Sequence, residues 1–291
     1  MPEIEIAVLK GNGMKLDGGS MFGNAPKALW GGWMPADDRN MIDIASQCLL
    51  VKTPESRVLF ETGAGAYLSP EMKQRFQIRD EGHMLLASLE NHGLGHEDIT
   101  HVVLSHLHFD HAGGLLAEWE EGREHPELLF PNARFIIGRE NFKRSAEPHF
   151  RDRASFIPGL AGLLERSGRL DLVRDGDRLD LDGANIEFTE SNGHTPGMLV
   201  SWIRAKDATL VFTGDLIPAS PWVNLPITMG YDRFPEGLID EKKQLLEKAL
   251  EAGALMIYPH DPVCAASYLE LDGRTSRIKP GKKMTELTMV V

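Results

Sequence analysis

The chain has only two cysteines, Cys48 and Cys264, in 291 residues. Two cysteines this far apart give neither a disulfide framework nor a zinc-binding Cys pair, and both read as small buried apolar side chains. No apolar run approaches the ~18 residues that a membrane span needs, so no membrane partner is expected. The N-terminus shows no basic stretch followed by an apolar one, and a cytoplasmic location is the expectation. Cationic residues are in the minority, 31 Lys and Arg against 43 Asp and Glu, for a formal charge of −12. A phosphate backbone demands a lysine and arginine footprint, so nucleic acid is not an expected partner. Low-complexity tracts, linkers and a self-similar period are also missing, so residues 1–291 read as one domain. The remaining composition, 42% apolar and 25% charged, is that of an ordinary globular protein with enough chain to bury a large core.

Against this plain background one stretch stands out, ITHVVLSHLHFDHAGG at 99–114. Its first half is β-branched and apolar and reads as a buried strand. Its second half packs His106, His108, Asp110 and His111 into six residues and ends on Gly113 and Gly114. In an extended segment His106 and His108 share a face, because side chains repeat every two residues. A turn must then bring Asp110 and His111 to a neighbouring point, and the glycines favour such a turn. Two imidazoles for one cation, with a carboxylate and an imidazole for a second, suit borderline metals such as zinc.

Taken in order, residues 3–10 alternate as a first strand, and 11–40 then lose periodicity. That glycine-rich segment carries Met21, Phe22, Leu29, Trp30, Trp33 and Met34 and reads as a long loop. So much apolar surface on a loop points to a binding wall, a lid or a subunit contact, hence an expected apolar substrate portion and a candidate homodimer. An equally simple alternative is that it folds over the core. Strands are expected at 47–53, 57–61, 99–104, 132–137, 170–174, 186–190, 197–204, 208–213 and 254–258. Helices are expected at 81–92, 138–146, around Leu160 to Leu164 and, most clearly, at 238–252 with Gly253 closing it. The tail from Asp272 to Lys283 carries five basic residues and reads as surface. Some ten strands with a few helices fit two packed sheets or one doubly wound sheet.

SHLHFDHAGG is similar to the His-x-His-x-Asp-His signature of the metallo-β-lactamase-fold hydrolases. With Leu107, Phe109 and the trailing Ala-Gly-Gly it most resembles the N-acyl-homoserine-lactone lactonases. Three later segments match that family's remaining motifs in order: Gly193-His194-Thr195-Pro196-Gly197, Thr213-Gly214-Asp215 and Pro259-His260. The resemblance implies an α/β fold, an αββα sandwich with its site at one edge. It implies two divalent transition metals, zinc first by ligand type, with iron, manganese or cobalt able to substitute. By position, His106, His108 and His194 would hold one metal, and Asp110, His111 and His260 the other. Asp215 would bridge them, with a hydroxide between the metals as nucleophile. Asp110 and Asp215 are therefore candidate catalytic groups as well as ligands.

Two departures from the pattern stand out. Glu61 occupies a position where the family usually has aspartate, with a longer side chain to support a ligand histidine. Pro218 stands three residues after Asp215, where the well-known lactonases have a tyrosine. Tyr231 in the following loop is the candidate replacement, with a plain loop residue as the alternative. Phe22, Trp30, Trp33 and Trp222 are candidate substrate-binding walls, and Phe234 flanks the same region. The other histidines, His83, His92, His96, His101, His125 and His149, lack paired spacing and read as surface or capping residues, with His149 the one to watch. The resemblance favours opening of a small-molecule lactone. An aryl ester or organophosphate triester hydrolase remains an alternative on the same metals, and a metal-dependent sensor or redox metalloprotein is the non-enzymatic one. Thioester hydrolysis is disfavoured because 261–291 is too short for a glutathione-binding region, and β-lactam hydrolysis because no export signal is visible.

Overall fold

A computed structural model describes residues 3–78, 80–122 and 126–291. His125 lies outside the described residues. The first half of the chain forms β1 (Glu5–Lys10), β2 (Met14–Asp17), β3 (Met41–Ile44), β4 (Gln47–Lys52), β5 (Arg57–Phe60), β6 (His101–Leu104), β7 (Arg134–Gly138) and β8 (Leu170–Val173). The second half forms β9 (Arg178–Leu181), β10 (Ala184–Ser191), β11 (Met198–Ala205), β12 (Thr209–Phe212), β13 (Leu255–Ile257), β14 (Ala266–Leu271), β15 (Ile278–Met284) and β16 (Thr288–Val290). Two seven-stranded sheets result, ordered β16-β1-β4-β5-β6-β7-β8 and β15-β14-β13-β12-β11-β10-β9, with β2 and β3 as a separate hairpin. Both sheets are mixed: β5, β6, β7 and β8 run parallel in the first, and β12 and β13 in the second.

Period-two alternation explains how the layers stack. In β4, Leu49 and Val51 face the second sheet and pack with Val58, Phe60, Val103, Phe188, Leu199, Phe212 and Ile257. Cys48 and Leu50 face the other way, into a layer shared with Leu85, Leu89, Leu160 and Leu164 of the covering helices Met84–Asn91 and Leu160–Arg166. The outer face of the second sheet, with Val200, Trp202, Val211 and Met256, packs on Leu238, Leu245, Leu246 and Ala249 of the helix Pro235–Glu251. The result is the helix–sheet–sheet–helix sandwich, not a single doubly wound sheet. No helix among the described residues is long and apolar enough to cross a membrane.

Two expectations need correction. Residues 11–40 are not one long loop. They hold β2 and the short helices Gly18–Phe22 and Lys27–Trp30, the first capped by Asp17, whose carboxylate accepts from Ser20 N at 2.7 Å. Elements of four or five residues are too short to show a period, so sequence reading finds only glycine-rich irregularity. The strand count rises from ten to sixteen: β2, β3, β9 and β16 are equally short, while β14 and β15 are longer but lack a clean apolar alternation. The basic tail is exposed as expected, yet it carries β15, an edge strand whose Lys279, Pro280, Lys282 and Lys283 oppose further pairing.

Candidate metal centre

The site forms where strand ends from both sheets meet. Glu61 follows β5, His106 follows β6, Asp215 follows β12 and His260 follows β13; His194 sits in the turn between β10 and β11. After His108 the chain turns into the four-residue helix Phe109–Ala112, which swings Asp110 and His111 to the other side of the centre. The glycines that follow act differently from the turn-forming role expected of them. Gly113 has an ordinary helical backbone, and what it and Gly114 provide is close approach. A Cβ would lie 2.2 Å from the Ala64 carbonyl oxygen at Gly113 and 2.1 Å from that of Thr62 at Gly114. The motif is thus clamped against 62–65, and His83 Nε2 adds a contact to the Gly114 carbonyl at 2.9 Å.

The ligand side chains fall into two groups. In the first, His106 Nε2 lies 2.9 Å from His108 Nδ1, and His194 Nε2 lies 3.2 Å from the same atom. In the second, His260 Nε2 lies 3.0 Å from His111 Nε2 and 3.6 Å from Asp110 Oδ2. Asp215 joins them: Oδ2 is 3.4 Å from His194 Nε2, while Oδ1 is 3.3 Å from His111 Nε2 and 3.2 Å from His260 Nε2. All the histidines and Asp215 are buried, and Asp110 is the most open of the seven.

The donor set fits metal ions. Ring nitrogens crowd face to face although two bare nitrogens repel, and Asp215 Oδ1 is buried with no hydrogen-bond donor. Ligand atoms ~2.0–2.1 Å from a tetrahedral zinc lie roughly 3.3 Å apart, close to the spacings seen in both groups. Outer partners orient the rings. His194 Nδ1 meets Asp232 Oδ1 at 2.9 Å, His260 Nδ1 meets the Ala45 carbonyl at 2.8 Å, and His106 Nδ1 meets Ser105 Oγ at 2.9 Å. Such partners fix which nitrogen is free to coordinate. Glu61 fills this role for His111: Oε2 lies 3.2 Å from His111 Nδ1, while Oε1 accepts from Ser105 N at 2.7 Å. It does so with φ at +65°, a conformation costly for glutamate and tolerated here where its carboxylate serves two groups of the centre.

Electrostatics divides the histidines. Burial, reinforced by neighbouring histidines, holds His106 and His108 well below the ordinary imidazole value. Burial pulls His111, His194 and His260 the same way, but Asp215 and the other acids around them outweigh it and raise all three. Burial pushes Asp215 up, and His111, His260 and His194 more than reverse this, leaving it well below the usual carboxylate range.

The aromatic candidates are placed less simply. Phe22 stacks on Trp30 at 5.1 Å and on Trp222 at 4.2 Å, and all three are at most 1% exposed. In this conformation they are core residues presenting no surface to a ligand. Trp30→Ala is therefore expected to cost ~3–5 kcal/mol of unfolding free energy, measured by chemical denaturation. A loss below ~1 kcal/mol would show that the stack is not structural. Trp33 is partly exposed and lines a cavity of about 690 Å³ with Met34, Val263, Arg277 and Lys283, which contains no metal ligand. Tyr231 is 40% exposed; burial of its hydroxyl, with Asp110 and Asp17 adding to it, raises its pKa against a hydrogen bond to Ser20 that lowers it. Pro218 offers only its carbonyl, which accepts from His260 N at 2.8 Å. His149 is exposed and receives a local bond from Arg151 N, while His92 pairs with Glu5 and His96 accepts from Phe130 N. Sequence reasoning missed Asp232, which had no signal beyond its place beside Tyr231. It also missed Phe156, whose ring meets the edge of His108 at 4.8 Å.

A family model described as the metallo-beta-lactamase superfamily matches residues 42–260, a span holding all seven candidate ligands and Glu61. An N-acyl homoserine lactonase of Bacillus sp. is 21% identical over 236 residues, covering 76% of this chain and 83% of that protein. A shorter match, 29% over 116 residues, covers 40% of this chain and half of an uncharacterized protein of Mycobacterium leprae. Among solved structures, a probable metal-dependent hydrolase from Staphylococcus aureus superposes with a TM-score of 0.82 at 26% identity, covering 97% of this chain and 98% of that one. The dizinc quorum-quenching lactonase AidC, solved with a homoserine product, superposes at 0.74 with 24% identity, covering 97% and 95%. The family model covers most of the chain, and the chain belongs to the metallo-β-lactamase superfamily of metal-dependent hydrolases.

Proposed function

We propose that this hydrolase opens lactones, with an acylated homoserine lactone as the model substrate. The observation that carries a two-metal reading is the split of Asp215, one carboxylate oxygen facing each ligand group. Bound there, the ions supply Lewis acidity and an acidified water, so no serine or cysteine nucleophile is needed. Cys48 and Cys264 are in keeping with this: both are buried, and burial pushes both thiols up, Cys264 to about 11.

The chain's own residues do the rest. Asp110, the most open acid of the centre, is placed to take a proton from the attacking water and return it to the alkoxide when the ring C–O bond breaks. Phe156 against His108, and Phe109 tilted on Phe76 with centroids 4.5 Å apart, give the centre an apolar flank that suits an acyl chain. With no side-chain donor at Pro218, Tyr231 is our candidate phenol to bind the substrate carbonyl or leaving oxygen, and Tyr67, more deeply buried, is a second phenol within the field of Asp110. Lactonases among the relatives support the same substrate class.

The test is a pH-stat assay of the zinc-loaded protein on lactones of increasing acyl length, beside aryl esters and aryl phosphotriesters. One proton should be released per ring opened near neutral pH, and acidifying the product should close the ring again. Tyr231→Phe should lower kcat ~10²-fold, the scale of losing one such donor. Inert lactones beside rapid phosphotriester turnover would leave a metal hydrolase and remove the lactonase reading.

A further inference from the structure

The helix Pro235–Glu251 buries Leu238, Lys242, Leu245, Leu246 and Ala249, so a lysine occupies a position on the apolar stripe where a leucine would be expected. Lys242 is fully buried, and its ammonium donates to the carbonyl oxygens of Ile227 at 2.5 Å and Asn224 at 3.4 Å. Those carbonyls belong to the segment leading to Asp232, whose Oδ2 accepts from Met229 N at 2.6 Å and whose Oδ1 holds His194 Nδ1. Glu241, one residue earlier, grips the other side of the same histidine. Its carboxylate accepts from Ser191 Oγ at 2.6 Å, Asn192 N at 2.9 Å and Gly193 N at 3.1 Å, the three residues before His194. The two segments are stitched together as well, Arg233 N and Phe234 N donating to the Gly193 carbonyl at 2.9 and 2.8 Å. Leu238 sits so close that a Cβ on Gly193 would lie 2.3 Å from the leucine Cβ.

We propose that Glu241 and Lys242 are positioning residues that clamp His194 and its partner Asp232 to one helix, and thereby set the affinity of the His106–His108–His194 group for its metal. The proposal rests on the metal-centre reading above. The chemistry makes the clamp costly to lose. Without Glu241 two backbone N–H groups lose their acceptor, and without Lys242 two inward-facing carbonyls lose their donor. Burial also draws the Lys242 ammonium down to about 7 against the pull of Asp232. The histidines of the second group are held elsewhere, His111 by Glu61 and His260 by Ala45, while the turn carrying the shared Asp215 packs on this helix through Leu216.

The experiment is Zn²⁺ release from the full-length protein under a competing colorimetric chelator, followed with the thermal unfolding midpoint. His108→Ala and His260→Ala identify which release step belongs to which group. Glu241→Ala and Lys242→Met should each weaken the step that His108→Ala abolishes by at least ~10-fold, the low end for losing an outer partner of a metal ligand, and leave the other step unchanged. Glu241→Gln, which keeps one acceptor oxygen, should fall between Glu241→Ala and wild type even if Lys242→Met does not fold. Lys248→Met on the same helix, facing Glu187 and the Trp202 ring, should change neither step. A lowered unfolding midpoint with both steps as in wild type, or both steps weakened alike, would overturn the clamp alone. A wild-type protein that holds no Zn²⁺ would overturn the metal reading and the clamp with it.

Discussion

Asp215→Ala is expected to lower kcat/KM by at least ~10³-fold, more than any substitution among the aromatic residues. The cost of one lost transition-state donor is ~10²–10³-fold, and groups acting as a unit lose more than their separate shares. Asp215 is such a group, because its two oxygens are common to both ligand sets. It is also the principal anion holding His111, His194 and His260 above their ordinary values. Its removal takes away the one anion shared by these three buried imidazoles, so metal content should fall together with turnover. Asp215→Asn is the sharper variant: one oxygen remains to serve one group, while the amide donors face the other. Elemental analysis with steady-state kinetics on each variant measures both effects. If Asp215→Ala keeps full metal and activity within tenfold of wild type, the centre is not where the reaction occurs.

The cluster of candidate ligands was legible in the sequence because its chemistry is written in residue types that packing does not ask for. His106, His108, Asp110 and His111 crowd one strand end, and His194, Asp215 and His260 each close or begin a strand, where a turn can aim them inward. The long strands β10 and β11 and the helix Pro235–Glu251 were legible because each shows several repeats of its period. What escaped was set by contacts distant in sequence. The hairpin of β2 and β3 has four-residue strands, and β16 exists only because Ala7 and Ile6 of β1 offer it an edge. Phe22, Trp30 and Trp222 looked like a ligand wall because a loop and a buried stack have the same composition. Only the 4.2 Å stacking of Phe22 on Trp222, about 200 positions away, distinguishes them. Asp232 and Glu241 were invisible for a similar reason: a carboxylate that orients a histidine 38 or more residues away leaves no local pattern.

Stripping the protein with a chelator should abolish hydrolysis, and adding back Zn²⁺, Co²⁺ or Mn²⁺ should restore it, with affinities that depend steeply on pH. The sign follows from the histidines. His106 and His108, held low by burial, present bare nitrogens at neutral pH, so a metal meets no proton there. His111, His194 and His260 are held high by Asp215 and the acids around it, so the metal-free protein carries protons on nitrogens that the ligand groups need. Metal binding must release those protons, so affinity rises with pH up to the raised values and falls as pH drops below them. Proton release from these histidines is therefore part of metal binding near neutral pH, besides any from water acidified at the site. His106 and His108, held well below the ordinary imidazole value, take no part in this fall and compete for protons only at much lower pH. Activity should follow metal content and fail below about pH 6. Titration calorimetry in two buffers of different ionisation enthalpy counts the protons directly. Metal binding without proton release would show that the free protein keeps these histidines neutral, and hydrolysis by fully stripped protein would remove the metals from the reaction altogether.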